Sequence, residues 1–212
     1  MKQYKSGKFY KDEFRGELSW NGNEYNNLLR NEGTDDTGSP MFADVAMGLG
    51  ADDKKDARGM AVADFDNDGD LDIVINTNPG DCGRSTVPPV LLRNDIGGKR
   101  NFLVVELKGV KSNHDAIGAE VSVEADGAAG SKEKPLKLFR HVYCGSGYAS
   151  QNDTRLFFGL GEHDKISKLT VKWPGGKTQT FDAGIKANRL IRIVEGAGLQ
   201  QRDMPGLAAV AP

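Results

Sequence analysis

Cysteine is scarce in this chain, and its scarcity removes two readings at once. Two cysteines among 212 residues cannot make a disulfide scaffold, and neither Cys82 nor Cys144 has a second cysteine nearby to suggest zinc. They can form one disulfide in an oxidising compartment or remain two thiols, and the sequence leaves both open. Long apolar runs are also missing, since no stretch approaches the roughly 20 residues that span a bilayer as a helix. An excess of one charge is missing too. Lys and Arg total 28 against 30 Asp and Glu, a net charge of −2, and the basic residues are dispersed, which argues against a nucleic-acid partner. The opening residues 1–8 are basic but no apolar segment follows them, so they do not read as a signal peptide. The expectation is a chain that has lost its signal or is part of something longer.

Glycine is what the chain has in quantity, with 27 residues placed between short apolar runs. Short runs separated by turn residues predict many strands and no long helix. Residues 1–24 are polar and mixed, with Phe9, Tyr10, Phe14, Leu18 and Trp20 as scattered anchors, and read as an irregular lead-in. A near-repeat links Leu28-Leu29-Arg30-Asn31 to Leu91-Leu92-Arg93-Asn94, each read as a Leu-Leu strand closed by polar turn residues. Residues 25–98 are therefore grouped as one β unit, with Met60–Ala63 and Ile73–Ile75 as its inner strands. Beyond residue 98 the apolar alternation lengthens. Strands are expected at Phe102–Val110, Ile117–Ala125, Leu136–Tyr143, Arg155–Phe158, Ile166–Trp173, Thr178–Phe181 and Arg189–Val194. Seven short strands make a β-sandwich or open barrel over 99–195, and Pro174-Gly175 fits the centre of a type II turn. The Gly/Ala/Pro-rich residues 196–212 read as a flexible tail.

The strongest chemical signal is Asp64-Phe65-Asp66-Asn67-Asp68-Gly69-Asp70-Leu71-Asp72, five aspartates in nine residues. At neutral pH they repel one another unless a cation lies among them. Calcium suits the site because it is hard, takes six to eight oxygens and tolerates irregular cages, whereas magnesium demands a strict octahedron. Asp64, Asp66 and Asp68 occupy loop positions 1, 3 and 5, and Gly69 permits the sharp turn. Asp70 offers its carbonyl, and Asp72 closes the site from the next strand. Position 12 is Ile75 rather than a bidentate Glu, and both flanks are strand-like, so the loop joins two strands and not two helices.

This loop and its strands resemble the calcium loop of FG-GAP/VCBS repeats. The later text resembles the ASPIC/UnbV domain of the cartilage acidic protein family, on four stretches in the family's order. These are Lys111–Ala119, Gly145–Gln151, Phe158-Gly159-Leu160-Gly161 and Val171–Gly176. The resemblance implies an all-β fold, with a propeller-blade-like unit carrying the calcium loop and a β-sandwich or open barrel after it. It also implies an extracytoplasmic setting (secreted, periplasmic or cell-surface), calcium-binding repeats and a role in adhesion or assembly, with no defined reaction. A closed propeller does not carry over, because the chain holds one calcium loop and one echo. Cys144 falls where the family pattern calls for no particular cysteine.

Candidate catalytic groups are few. Gly145-Ser146-Gly147 lacks the surroundings of a nucleophile elbow, and Gly159-Leu160-Gly161 has Asp164 where a third glycine would stand, with no helix to follow. His114 beside Asp115 lies in turn-like sequence. There Asn113 and Asp115 are better placed to bond backbone and fix a strand crossover, and Gln151, if buried, to tie strands together. The reading is therefore a non-enzymatic, calcium-binding module whose partner is another protein or a domain of a surface assembly. A carbohydrate ligand is the alternative, for which Tyr148 and Trp173 are the aromatic candidates although both fit core or rim positions better. Membership of a larger membrane-associated complex is a further alternative.

Overall fold

In the computed structural model, residues 25–78, 87–97, 100–126 and 135–204 are described. Cys82, the lead-in anchors and the Gly127–Gly130 loop lie outside that set, as does the tail beyond 204, and with Cys82 goes the disulfide pairing. The regular structure of the described chain is almost entirely strand, as an all-β reading requires. Its elements are β1 (Leu29–Thr34), β2 (Pro40–Asp44), a single helical turn α1 (Ala46–Leu49), β3 (Asp56–Ala63), β4 (Asp72–Asn78) and β5 (Val90–Leu92). There follow β6 (Asn101–Lys108), β7 (Glu120–Ala125), β8 (Leu136–His141), β9 (Leu156–Gly161), β10 (Lys165–Lys172), β11 (Thr178–Lys186), β12 (Arg189–Val194) and β13 (Leu199–Arg202). No helix among the described residues is long and apolar enough to cross a membrane.

The chain divides into two compact units. One holds the described residues up to 60 together with 74–92. In it β1 and β2 form an antiparallel hairpin, with Arg30 opposite Ala43 and Asn31 opposite Phe42. The Leu-Leu echo therefore does not build the same element twice. In the first copy Arg30 and Asn31 continue the strand, whereas in the second the strand ends at Leu92 and Asn94 folds a turn, accepting the amides of Ile96 and Gly97. Strands β3, β4 and β5 hydrogen-bond in that order.

The other unit holds 61–73 and everything described from 93 on. Two four-stranded sheets, ordered β11-β10-β7-β8 and β13-β12-β6-β9, enclose its core. The first sheet supplies Val121, Val123, Leu169 and Val171, and the second Leu103, Val105, Phe158, Ile191 and Ile193, all essentially inaccessible. Strict alternation in β7 explains its part, since Val121, Val123 and Ala125 point inward and Glu120, Ser122 and Glu124 do not. In β10 the alternation breaks between Ile166 and Leu169, both buried, and the β10–β11 register shifts at that point. The irregularity also carries β11 on to Lys186, beyond the Phe181 limit that alternation suggests.

Strand β6 is buried on both faces. Leu103 and Val105 enter the main core, while Phe102 and Val104 form a second apolar cluster with Met204 on the opposite side. A half-buried strand alternates and a doubly buried one does not, which is why Phe102-Leu103-Val104-Val105 is continuously apolar. β6 runs parallel to β12 and antiparallel to β9. Two expectations need correction. Leu199–Arg202 is not a loose tail, because it pairs with β12 as an edge strand. The Trp173–Gly176 turn forms where expected, with the Gly176 amide on the Trp173 carbonyl, but the left-handed residue is Gly176 at φ 81° and not Gly175. A type II turn needs positive φ at Gly175, so the geometry is that of a three-residue hairpin closed by a left-handed glycine.

The segment after β6 is organised by a residue that its local sequence does not reveal. Glu195, buried at the end of β12, accepts the amides of Val110, Lys111 and Ser112 at 2.9, 2.7 and 2.7 Å, and the Ser112 hydroxyl at 3.1 Å. Asn113 then closes the turn by exchanging two hydrogen bonds with the Ile117 backbone. The Ser112 amide first, and then those of Val110 and Lys111, hold the Glu195 carboxyl down to about 2 against the opposing effect of burial. An unfolded glutamate titrates near about 4.3, so the native state prefers the ionised form. That contribution is fully present above the unfolded value and is lost as pH falls through about 4 towards 2. Urea midpoints followed down this range should drop in the parent, and E195Q should start lower and show a flatter acid limb.

Candidate metal centre

The acidic loop is strung between the end of β3 at Ala63 and the start of β4 at Asp72, and its own backbone gathers it. Asn67 and Gly69 take left-handed conformations, at φ 60° and 98°, which turns the chain back over Asp64. Both Asp64 carboxylate oxygens accept loop amides, Oδ1 from Asp68 and Oδ2 from Gly69, at 3.1 Å each. From the far end Asp72 accepts the Phe65 amide at 2.9 Å and the Asn94 amide at 2.8 Å. Anchored this way, Asp64 and Asp72 are 3% and 0% exposed.

Asp66 completes the group. Each of Asp64, Asp66 and Asp72 offers a carboxylate oxygen, and these oxygens lie within 4.8 Å of one another. Two oxygens that both bind one Ca²⁺ at about 2.3–2.6 Å are separated by at most about 5 Å, so the spacing fits a single shared ion. Each carboxylate oxygen has a further lone pair after accepting one amide, and an all-oxygen, all-anionic donor set suits a hard divalent cation. Burial pushes the Asp64 carboxyl up, with the Asp68 charge adding to the rise, while the Gly69 amide and the Arg155 charge pull it back. A carboxylate so placed gains most from added positive charge.

The five sequence candidates therefore divide. Asp64, Asp66 and Asp72 converge, and Asp68 and Asp70 are not part of the converging group. Asp68 instead accepts the Asp70 amide at 3.1 Å and shapes the turn. Gly69 is required on two counts, since its φ is left-handed and a Cβ there would run into the Phe102 ring.

Two further residues belong to this site and were not singled out from the sequence. Asn94, in the second copy of the echo, holds Asp72 through its amide. Arg155 reaches the loop from the start of β9, donating to Asn67 Oδ1 at 3.0 Å and the Asp64 carbonyl at 3.2 Å, while its Nε bonds Asp153 at 2.6 Å. Next to it the Asn152 side chain accepts the Val62 amide at 2.9 Å, and the Asp153 amide donates to the Val62 carbonyl at 3.0 Å. The only advance signal for Arg155 was a lone cation beside an apolar run, which is too common to select it.

The remaining candidates are placed as follows. Ser146 Oγ accepts the Asn152 amide and stabilises a loop. His114 and Asp115 pair at 2.8 Å on an exposed turn. Gly159-Leu160-Gly161 lies in the last residues of β9. Gln151 is exposed and not buried, so it ties a loop instead of strands, accepting the Gly145 amide and donating to the Tyr143 and Asn152 carbonyls. Trp173 is 1% exposed with its indole N–H on Gln179, so it is not a sugar platform. Tyr148 is exposed, and so is Cys144.

Residues 109–200 match the family model described as ASPIC and UnbV. The chain is 29% identical over 168 residues to cartilage acidic protein 1 of Xenopus tropicalis, covering 79% of this chain and 24% of that protein. Against the human protein of the same name it is 28% identical over 177 residues, 82% of this chain and 24% of that protein. The chain thus spans about a quarter of the length of the curated relatives it matches.

The close approach of Gly69 to Phe102 yields a direct check. Gly69→Ala adds a left-handed penalty of about 1–2 kcal/mol and an overpacking penalty of about 1–3 kcal/mol. Urea denaturation should report a loss of about 2–5 kcal/mol.

Proposed function

We propose that this chain is an extracytoplasmic binding and assembly module, stabilised by calcium and non-catalytic, that contacts another protein or another domain of a surface assembly. The observation that carries this reading is the convergence of Asp64, Asp66 and Asp72, two of them buried, on one ion-sized point. Like charges so close, walled by apolar strands, strongly favour a state in which a divalent cation neutralises them. When bound, the ion would supply that neutralising charge and close the loop. Asp64 and Asp72, already oriented by four amides, would hold it from within, and Asp66 from the solvent side. Because Arg155 grips the same loop through Asn67 and the Asp64 carbonyl, order in the loop passes to the start of β9.

The match to ASPIC and UnbV over 109–200 and the likeness to cartilage acidic protein 1 support a structural role over a reaction. The acidic loop lies between strands, as in the FG-GAP/VCBS repeats it resembles. The extracytoplasmic setting is supported by this likeness and by the calcium reading. Calcium is plentiful outside cells and scarce in the cytosol, so a structural calcium loop with strand anchors is of most use outside.

Ligand that binds only the native state adds about 2.7 kcal/mol at a hundredfold excess over Kd. For a chain of this size that corresponds to roughly 5–10 °C in Tm. Calorimetry of the EGTA-treated chain should show a rise of this order on adding calcium, and a smaller one with magnesium. Asp66→Asn, at an exposed position, should fold yet lose most of the response. Identical melting with EGTA and with millimolar calcium would overturn the calcium reading.

A further inference from the structure

We propose that the cup beside strand β8 is a binding site for one ring of a neutral saccharide. The inference rests on the reading of the chain as a binding module and supplies the ligand class. The cup has a volume of about 200 Å³ and is lined by residues that include His141, Tyr143, Ser146, Asn152 and Thr154. Sites for drug-sized ligands run to roughly 300–1,000 Å³, so this one suits a single ring and not an extended molecule or a protein side.

Its walls combine two chemistries. His141 and Tyr143 line the cup, and with Phe139 beside it they alternate along β8 and just beyond that strand, while Leu136 and Leu138 turn towards the core. The three rings form a row, with Phe139 edge-on to His141 at 4.5 Å and His141 to Tyr143 at 5.5 Å. Phe139 is 49% exposed, Tyr143 65% and nearby Tyr148 75%. Rings left in water beside a cavity offer an apolar face to a partner that has one of its own. The hydroxyls of Ser146 and Thr154 and the side-chain NH2 of Asn152, which also belong to lining residues, can offer hydrogen bonds. A sugar ring has this same division, with C–H groups across its face and hydroxyls around its edge.

Charge narrows the ligand. No lysine or arginine is among the residues that line the cup, and the carboxylate of Asp153 is engaged by Arg155 at 2.6 Å. A sulfated, phosphorylated or acidic ligand would meet no fixed cation there, so a neutral one is favoured. The cup is also preorganised. Gln151 makes three hydrogen bonds that pin residues 143–152, and Asn152 and Asp153 are bonded to Val62 at the back wall. Little ordering entropy would then be lost on binding.

The test is an amide NMR titration of the full chain, with calcium present throughout. The probes are gluco-, manno-, galacto- and N-acetylglucosamine oligosaccharides, with a heparin hexasaccharide as the anionic comparison. At least one neutral sugar should shift the amides of residues 141–154. Tyr143→Ala, which removes an exposed ring, and Thr154→Tyr, which fills the cup, should each weaken binding at least about tenfold with Tm unchanged. The proposal is overturned if no neutral sugar shifts these amides, if only heparin does, or if binding survives both substitutions. A chain whose melting responds to calcium but which binds no sugar sinks this inference alone. Sugar binding without a calcium response sinks the calcium reading alone.

Discussion

A buried carboxylate has to be answered by donors or by positive charge, and that requirement shapes the irregular parts of this molecule. Asp64, Asp72 and Glu195 are all buried acids, and the three between them accept seven backbone amides. In each case the acid gathers a segment that forms no ladder of its own. Asp64 and Asp72 draw the acidic loop closed from its two ends, and Glu195 holds the chain leaving β6. Burying a charge without such partners costs several kcal/mol, so these loops are held to their acids as firmly as strands to a sheet. What separates the two places is the count of acids. Glu195 stands alone and is satisfied by amides and one hydroxyl, whereas Asp64 and Asp72 have each other and Asp66 within reach, a grouping that could hold a metal ion.

The sandwich gives these acids their fixed surroundings. β6 stands at the centre of the arrangement because both of its faces are covered, one by the main core and the other by Met204, with the Phe102 ring meeting Gly69 of the acidic loop. Arg155 adds a second attachment by linking the loop to the start of β9. The loop is therefore built into the sheet whose central strand is β6, which suits a part that confers rigidity and not one that opens and closes. The residues just before Arg155, 152–154, line the cup beside β8. Ion loop and cup thus share a stretch of backbone, and a module that uses calcium for stiffness and the cup for recognition would need that economy of parts.

The resemblance drawn from short motifs and the match over 109–200 point the same way, and the structure supplies reasons for several of those motifs. Lys111–Ala119 contains the amides that Glu195 captures and the Asn113 that closes the turn. Gly145–Gln151 is the loop pinned by Gln151 beside the cup. Val171–Gly176 carries the buried Trp173 and a tight hairpin. These are demands of fold, and none of them by itself requires a reaction.

Much of this was determined by sequence alone. Period-two alternation marks a strand buried on one face, so β7, β8, β10 and β12 were readable to within a few residues, and the density of aspartates marked the loop whose Asp64, Asp66 and Asp72 converge. Where both faces are buried or a bulge intervenes, the period fails, and the far end of β11 was accordingly missed. Strand β13 carried little apolar signal, with Leu199 alone packed against the core, because the rest of it is exposed and held by pairing with β12. That the carboxylates of Asp64, Asp66 and Asp72 lie within reach of one point was likewise visible only in three dimensions. Glu195, Arg155 and Asn94 act on partners 22 to 91 residues away, and no local pattern announces a contact made across such a span.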